Sequence, residues 1–176
     1  MIFEPLKIPG SYLVRLDQKA DERGFFARSF CEDEFKAHGL HSYFPQSNVS
    51  FNQRTGTFRG MHFQLPPAEE VKVVRCTHGA AMDVILDLRS ESPKFRQWVG
   101  IEISAENHNA VYIPKGCAHG FQTLRDETEL LYLMGERFDP TQAKGVRWND
   151  SAFDIRLPLP ISVISEKDKS YPLFGS

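Results

Sequence analysis

The stretch AMDVILDL, Ala81 to Leu88, places Met82, Val84, Leu86 and Leu88 at period two, with Asp83 and Asp87 on the opposite face. Successive side chains of an extended strand point to opposite faces, so this alternation predicts a β-strand. The runs WVGIEIS (98–104), AVYIP (110–114), GFQTL (120–124) and ELLYLM (129–134) read the same way, each bounded by Gly, Pro, Asn or Asp. Short strands at such regular spacing predict an all-β domain, as an antiparallel sandwich, barrel or jelly roll. One helix is expected over Glu32 to His38, with Gly39 just past its end as a C-cap. With no internal repeat, low-complexity stretch or linker, residues 1–176 read as a single domain.

Composition narrows the function classes. The 176 residues suffice to bury one core, and 41% apolar with 25% charged residues is an ordinary globular balance. Twenty-one basic residues against 23 acidic ones leave a net charge of -2, which argues against nucleic acid or an anionic membrane as partner. Any bound anion must then be gripped by a few placed arginines. MIFEPLKIPG lacks the basic start and apolar stretch of a secretory signal, and no apolar run approaches the length of a membrane span. Cys31, Cys76 and Cys117 are odd in number, widely spaced and without a CxxC pair, which points to a reducing cytoplasm.

Two stretches concentrate chemistry. QSNVSFNQRTGTFRGMHFQ (46–64) packs Gln46, Asn48, Ser50, Asn52, Arg59, His62 and Gln64 into one strand-like segment. Strict alternation would put Arg59 on one face and His62 with Gln64 on the other; local twist or a bulge at Gly60 would bring Arg59 and His62 to the same cavity. Taken alone, His62 also fits a polar edge strand with a satisfied imidazole. IPKGCAHGF (113–121) ends one strand at Pro114, turns at Gly116 and delivers His119 between the small residues Ala118 and Gly120, which leave room for a ligand.

Together these stretches raise a metal site, because small jelly rolls of the cupin type hold divalent metals with an HxH pair and a later His after a PxG turn. Here the pair reads His62-Phe63-Gln64, and an amide is a poor ligand for zinc or iron. His62 and His119 alone leave too few strong ligands.

The motifs DERGFF (21–26), QSNVS (46–50), FRGMHFQ (58–64), KVVR (72–75), DVILDLR (83–89), SP (92–93), IPKGCAHGF (113–121), VRWND (146–150) and SEKD (165–168) run through nearly the whole chain. In that order and spacing, the chain resembles the dTDP-4-dehydrorhamnose 3,5-epimerases. The resemblance implies a cupin-type jelly-roll β-sandwich with a few short helices, acting as a homodimer without metal or cofactor on a nucleotide-diphospho-keto-sugar. It implies His62 as general base oriented by Asp168, Tyr132 as acid on the opposite sugar face, and Lys72 near the C4 oxygen. Arg23 and Arg59 would hold the diphosphate, with Phe26, Arg28, Gln46, Asn48, His119 and Lys167 as further substrate contacts.

Those roles make chemical sense. A proton beside a ketone is removable only if the enolate oxygen is stabilised, as a lysine ammonium can do. Imidazole titrates near neutral pH, and a carboxylate on its second nitrogen fixes its tautomer. Arginine's planar fork suits a diphosphate. Without the resemblance, Asp168 reads as a solvated loop charge, Tyr132 as a core aromatic and Lys72 as a solvent-facing residue between valines.

Two positions depart from the family's pattern. Phe138 stands where a second tyrosine is usual, six residues beyond Tyr132, which leads us to expect action chiefly at C3 or on a differently substituted sugar. Arg28 stands where the family usually has Glu; a guanidinium cannot accept a hydrogen bond, which leads us to expect a relaxed or altered nucleotide preference.

Overall fold

In the computed structural model, which describes residues 1–175, the expected short strands form antiparallel ladders. In chain order the first are Ile2–Pro5 (β1), Tyr12–Arg15 (β2), Lys19–Asp21 (β3) and Gly24–Phe26 (β4). After helix α1 (Glu32–Ala37) come Gln46–Asn52 (β5), Phe58–Gln64 (β6), Lys72–His78 (β7) and Ala80–Asp87 (β8). Trp98–Ser104 (β9), Ala110–Ile113 (β10), Cys117–Thr123 (β11), Thr128–Met134 (β12) and Ala143–Gly145 (β13) follow, and then helix α2 (Glu166–Ser170). A six-stranded sheet in the order β1-β2-β10-β7-β12-β5 faces a five-stranded sheet in the order β13-β6-β11-β8-β9, while β3 and β4 form a separate hairpin.

Residues at period two from both sheets build the layer between them. Val74, Val111, Ile113 and Leu130 from one sheet meet Ala81, Ile85, Ile103 and Phe121 from the other. The outer faces are also covered. Helix α1 presses Phe35, fully buried, onto Val73, Ala110 and Tyr112 of the six-stranded sheet. Burying a side chain of that size contributes about 2–3 kcal/mol. The segment after β13 lays Val146, Phe153 and Ile155 over Phe58, Met61, Val84 and Leu86 of the five-stranded sheet.

That cover reverses the orientation that polarity alone suggests for β8. The apolar row of Val84 and Leu86 faces the C-terminal segment, whereas Asp83 and Asp87 share the inward face with Ala81 and Ile85. Both aspartates are fully buried. Each has a cationic or imidazole partner, His119 for Asp83 and Arg89 for Asp87, as buried carboxylates require. Helix α1 ends one residue earlier than expected, and Gly39 beyond it is left-handed at φ 69°.

Candidate active site

The two sheets part at one end around a cavity of about 540 Å³, adjoined by a lobe of about 250 Å³ that shares Asn48, Arg59, His62, Lys72 and Met134 with it. The period-two rule selects its walls. Gln46, Asn48 and Ser50 on β5, Lys72 on β7 and Tyr132 with Met134 on β12 point in from the six-stranded sheet; His62 and Gln64 on β6 and His119 on β11 point in from the other.

Arg59 joins them through an irregularity in the strand. On β11, Phe121 pairs with Arg59 and His119 with His62, so three steps on β6 oppose two on its partner. The extra residue is a β-bulge at Gly60, as expected, and it turns Arg59 to the face of His62. Gly60 adopts φ 147°, and a Cβ there would lie 2.6 Å from the Cα of Gly120. Only glycine tolerates both the dihedral and that approach. Arg59 is steadied by its Nε donating to Asn52 Oδ1 at 2.8 Å.

His62 Nε2 lies 2.7 Å from Asp168 Oδ1, although the two are 106 positions apart in the chain. Asp168 is brought there by α2, whose N-cap Ser165 accepts from the Asp168 backbone N–H at 3.0 Å. The second carboxylate oxygen accepts from Gly60 N–H at 3.2 Å. Burial alone would raise the Asp168 pKa, but the hydrogen bond and charge of His62, with the Gly60 N–H, hold it below the ordinary value. With Nε2–H donated to Asp168, the other ring nitrogen of His62 keeps a lone pair.

Across the cavity stands Tyr132. Burial, and then the charge of Asp83, push its phenol well above the usual range, against the opposing influence of Arg59. The phenol is therefore neutral at physiological pH. His119 packs edge-on against its ring at 5.8 Å and holds Asp83 Oδ2 at 2.7 Å. Lys72 is buried, with Nζ 3.0 Å from the equally buried Glu70 carboxylate and 3.3 Å from the His62 carbonyl. Thus His62, Tyr132, Asp168, Lys72, Arg59, Gln46, Asn48, His119 and Lys167 all converge on one cavity.

Arg23, Phe26 and Arg28 do not. Arg23 is ion-paired to Asp21 at 2.5 Å at the tip of the β3/β4 hairpin, Phe26 is 81% exposed, and Arg28 lies 3.6 Å from Glu34. Phe26 and Arg28 line a separate surface depression. Conversely, the cavity holds Glu70 and Tyr171, and Asp83 backs it behind His119, none of which the sequence reading singled out as site residues. Glu70 sits in the loop PPAEEV, where acidic residues read as solvated; Asp83 was visible only as the polar side of a strand. Among the described residues, no group of three or more His, Cys, Asp or Glu is arranged to hold a metal ion.

Comparison with known proteins places both the sequence and the fold. The family model described as dTDP-4-dehydrorhamnose 3,5-epimerase matches residues 5–176. The dTDP-4-dehydrorhamnose 3,5-epimerase of Sinorhizobium fredii is 39% identical over 173 residues, spanning 98% of this chain and 89% of that one. The crystal structure of the Bacillus anthracis dTDP-4-dehydrorhamnose 3,5-epimerase with TDP and PPi bound superimposes with a TM-score of 0.93 at 38% identity, covering 98% of both chains. A 3'-monoepimerase from Streptomyces bikiniensis in complex with dTDP-quinovose gives a TM-score of 0.88 at 30% identity, over 96% of this chain and 86% of that one. Fold and site together define an isomerase of the cupin-type jelly-roll class. The chain belongs to the dTDP-4-dehydrorhamnose 3,5-epimerase family.

Proposed function

We propose that residues 1–176 act as one epimerase domain on a nucleotide-diphospho-4-keto-6-deoxy sugar, inverting carbon next to the C4 ketone. The observation that carries this reading is the placement of His62 and Tyr132 on opposite sheets, facing one lobe of the cavity. A sugar ring between them would present one face to an imidazole and the other to a phenol. His62 takes the proton beside the ketone and becomes imidazolium, stabilised by Asp168. The electron pair moves to the C4 oxygen as an enolate, which the Lys72 ammonium stabilises. Tyr132 protonates the same carbon from the opposite face. Exchange with solvent returns the proton to the phenolate and removes it from the imidazolium. Arg59 and Lys167 supply positive charge for the diphosphate, and Gln46, Asn48 and His119 line the sugar.

The test is turnover of dTDP-4-keto-6-deoxyglucose in deuterated water. Wild type should incorporate solvent deuterium beside the ketone. His62→Ala should abolish incorporation while leaving dTDP binding within about threefold, since the base adds little to ground-state binding. Unchanged turnover in His62→Ala would remove the proposal.

A second reading, in which C3 is the chief site, is favoured by Phe138. Its ring lines the cavity mouth, its backbone N–H donates to Gln46 Oε1 at 2.7 Å, and it has no hydroxyl to offer the substrate. The relatives include both 3,5-epimerases and a 3'-monoepimerase, so either outcome has precedent on this fold.

We also propose a homodimer in the cytoplasm. Supporting the dimer, Phe25 and Phe26 on the β3/β4 hairpin and Val49 and Phe51 on edge strand β5 are exposed large apolar residues. Unpaired edges and apolar patches of this kind are commonly covered by a second subunit. A hairpin that reaches into a neighbouring cavity would bring Arg23, Phe26 and Arg28 to a substrate. Sedimentation at twice the chain's mass is the expected result. The cytoplasmic reading is supported by three free thiols, two of them buried with pKa values pushed up by burial to about 11 and about 12. Among the described residues, no helix is long and apolar enough to cross a membrane.

A further inference from the structure

The cavity contains one phenol that the mechanism above leaves idle. Tyr171, the C-cap residue of α2, lines the cavity beside His62, with ring centroids 5.9 Å apart and planes inclined at 68°. Asp168, three residues earlier, holds the same imidazole through Nε2. One short helix thus delivers both a carboxylate and an aromatic wall to the base. The wall is itself built in. Gly145 on β13 lies opposite His62 in the ladder, and a Cβ there would sit 2.4 Å from the Tyr171 ring carbons. The ring therefore lies directly on bare backbone, which fixes its depth relative to the imidazole. Burial raises the pKa of its phenol, and the charge of nearby Lys167, a second cavity residue, opposes that rise.

From this arrangement we infer that Tyr171 is a positioning residue of the base: its ring, seated on Gly145, holds the His62 imidazole against Asp168 in the orientation that reaches the carbon-bound proton. The role rests on the assignment of His62 as base. A base must be held to within about half an ångström and 10–20° of its productive geometry, and a carboxylate bond at one edge leaves the ring free to rock about that bond. An edge-to-face partner removes that freedom while adding no charge. The part that matters is the ring, and the hydroxyl is dispensable for it.

The experiment compares wild type with Tyr171→Phe, Tyr171→Leu, Gly145→Ala and His62→Asn. Gly145 has no left-handed dihedral to satisfy, so its alanine variant displaces the Tyr171 ring without removing it. Two readouts are used: kcat and KM on the keto-sugar nucleotide, and the downfield proton resonance of the His62–Asp168 hydrogen bond in ligand-free protein, assigned by its loss in His62→Asn. Tyr171→Leu and Gly145→Ala should each lower kcat about tenfold with KM unchanged, and should broaden that resonance into exchange with water. Tyr171→Phe should behave as wild type in both. A sharp resonance with wild-type kcat in Tyr171→Leu overturns the inference, as does a loss in Tyr171→Phe equal to that in Tyr171→Leu. If wild type itself fails to exchange the sugar proton, the epimerase reading fails, and the resonance still decides whether Tyr171 orders His62.

Discussion

His62 and His119 are register partners on adjacent antiparallel strands, yet each imidazole is held by a different aspartate: His62 by Asp168 from the C-terminal helix, His119 by Asp83 from β8, both at 2.7 Å. Their surroundings set the two pairs apart. The His62 side chain is 40% exposed to the cavity, whereas that of His119 is only 5% exposed. The accessible pair is suited to moving a proton, and the enclosed one to carrying the Tyr132 ring that leans on it.

Replacing Asp168 by Asn should keep the shape of the site while removing the charge that favours imidazolium and the acceptor that fixes the tautomer. In a comparable dyad such a change costs about 10⁴ in kcat, and we expect a loss of about 10³ or more with KM little altered. The Asp168 pKa is lower in the folded protein than its ordinary value of 3.8. Its contribution to stability is therefore present above that value and is lost as pH falls through the lower, folded value. Melting curves from about pH 6 down to about pH 3 should show wild type losing more stability on acidification than Asp168→Asn does.

The Asp83→Ala variant should be the less stable one. Asp83 is fully buried, and its removal strands the His119 ring nitrogen without a partner. Breaking a buried pair in this way costs about 3–5 kcal/mol, or roughly 6–20 °C in Tm for a chain of this size. Differential scanning calorimetry at neutral pH is the check, and a shift under about 2 °C would count against a structural role.

Phe138→Tyr restores the hydroxyl that the family pattern carries at this position. If its absence confines exchange to C3, wild type should incorporate deuterium at C3 well ahead of C5, and Phe138→Tyr should raise C5 incorporation by about tenfold, the scale of one added donor hydrogen bond. Equal incorporation at both carbons in wild type, followed by NMR, would dispose of the C3 reading.

Arg28 bears on the nucleotide. Its guanidinium is exposed and lies 3.6 Å from Glu34, outside the cavity of its own chain. Because arginine donates and cannot accept, thermal-shift measurements with dTDP, UDP, CDP and GDP should show stabilisation by more than one of them. A clear shift with dTDP alone would end the idea of a relaxed preference.

Much of this was legible in the residues. The strands were readable because Gly, Pro, Asn and Asp interrupt period-two runs, and the bulge at Gly60 because Arg59 and His62 otherwise face apart. The direction of β8 was misleading, since the C-terminal segment gives its apolar row a second place to be buried and leaves the interior to Asp83 and Asp87. Asp168 and Tyr132 could be brought to His62 only through the family motifs, because neither local pattern nor spacing encodes a contact across 106 or 70 positions. Tyr171 left no signal at all. In EKDKSYP it reads as the end of a charged segment, and what gives it a place is the missing side chain of Gly145, on a strand it never precedes or follows directly.

The helix that carries Asp168 comes after every strand of both sheets. Neither sheet therefore contains the partner that holds His62: a strand supplies the imidazole and the last helix supplies its carboxylate. Cleavage before α2 would take Asp168 and Tyr171 from the cavity while leaving every strand in the chain.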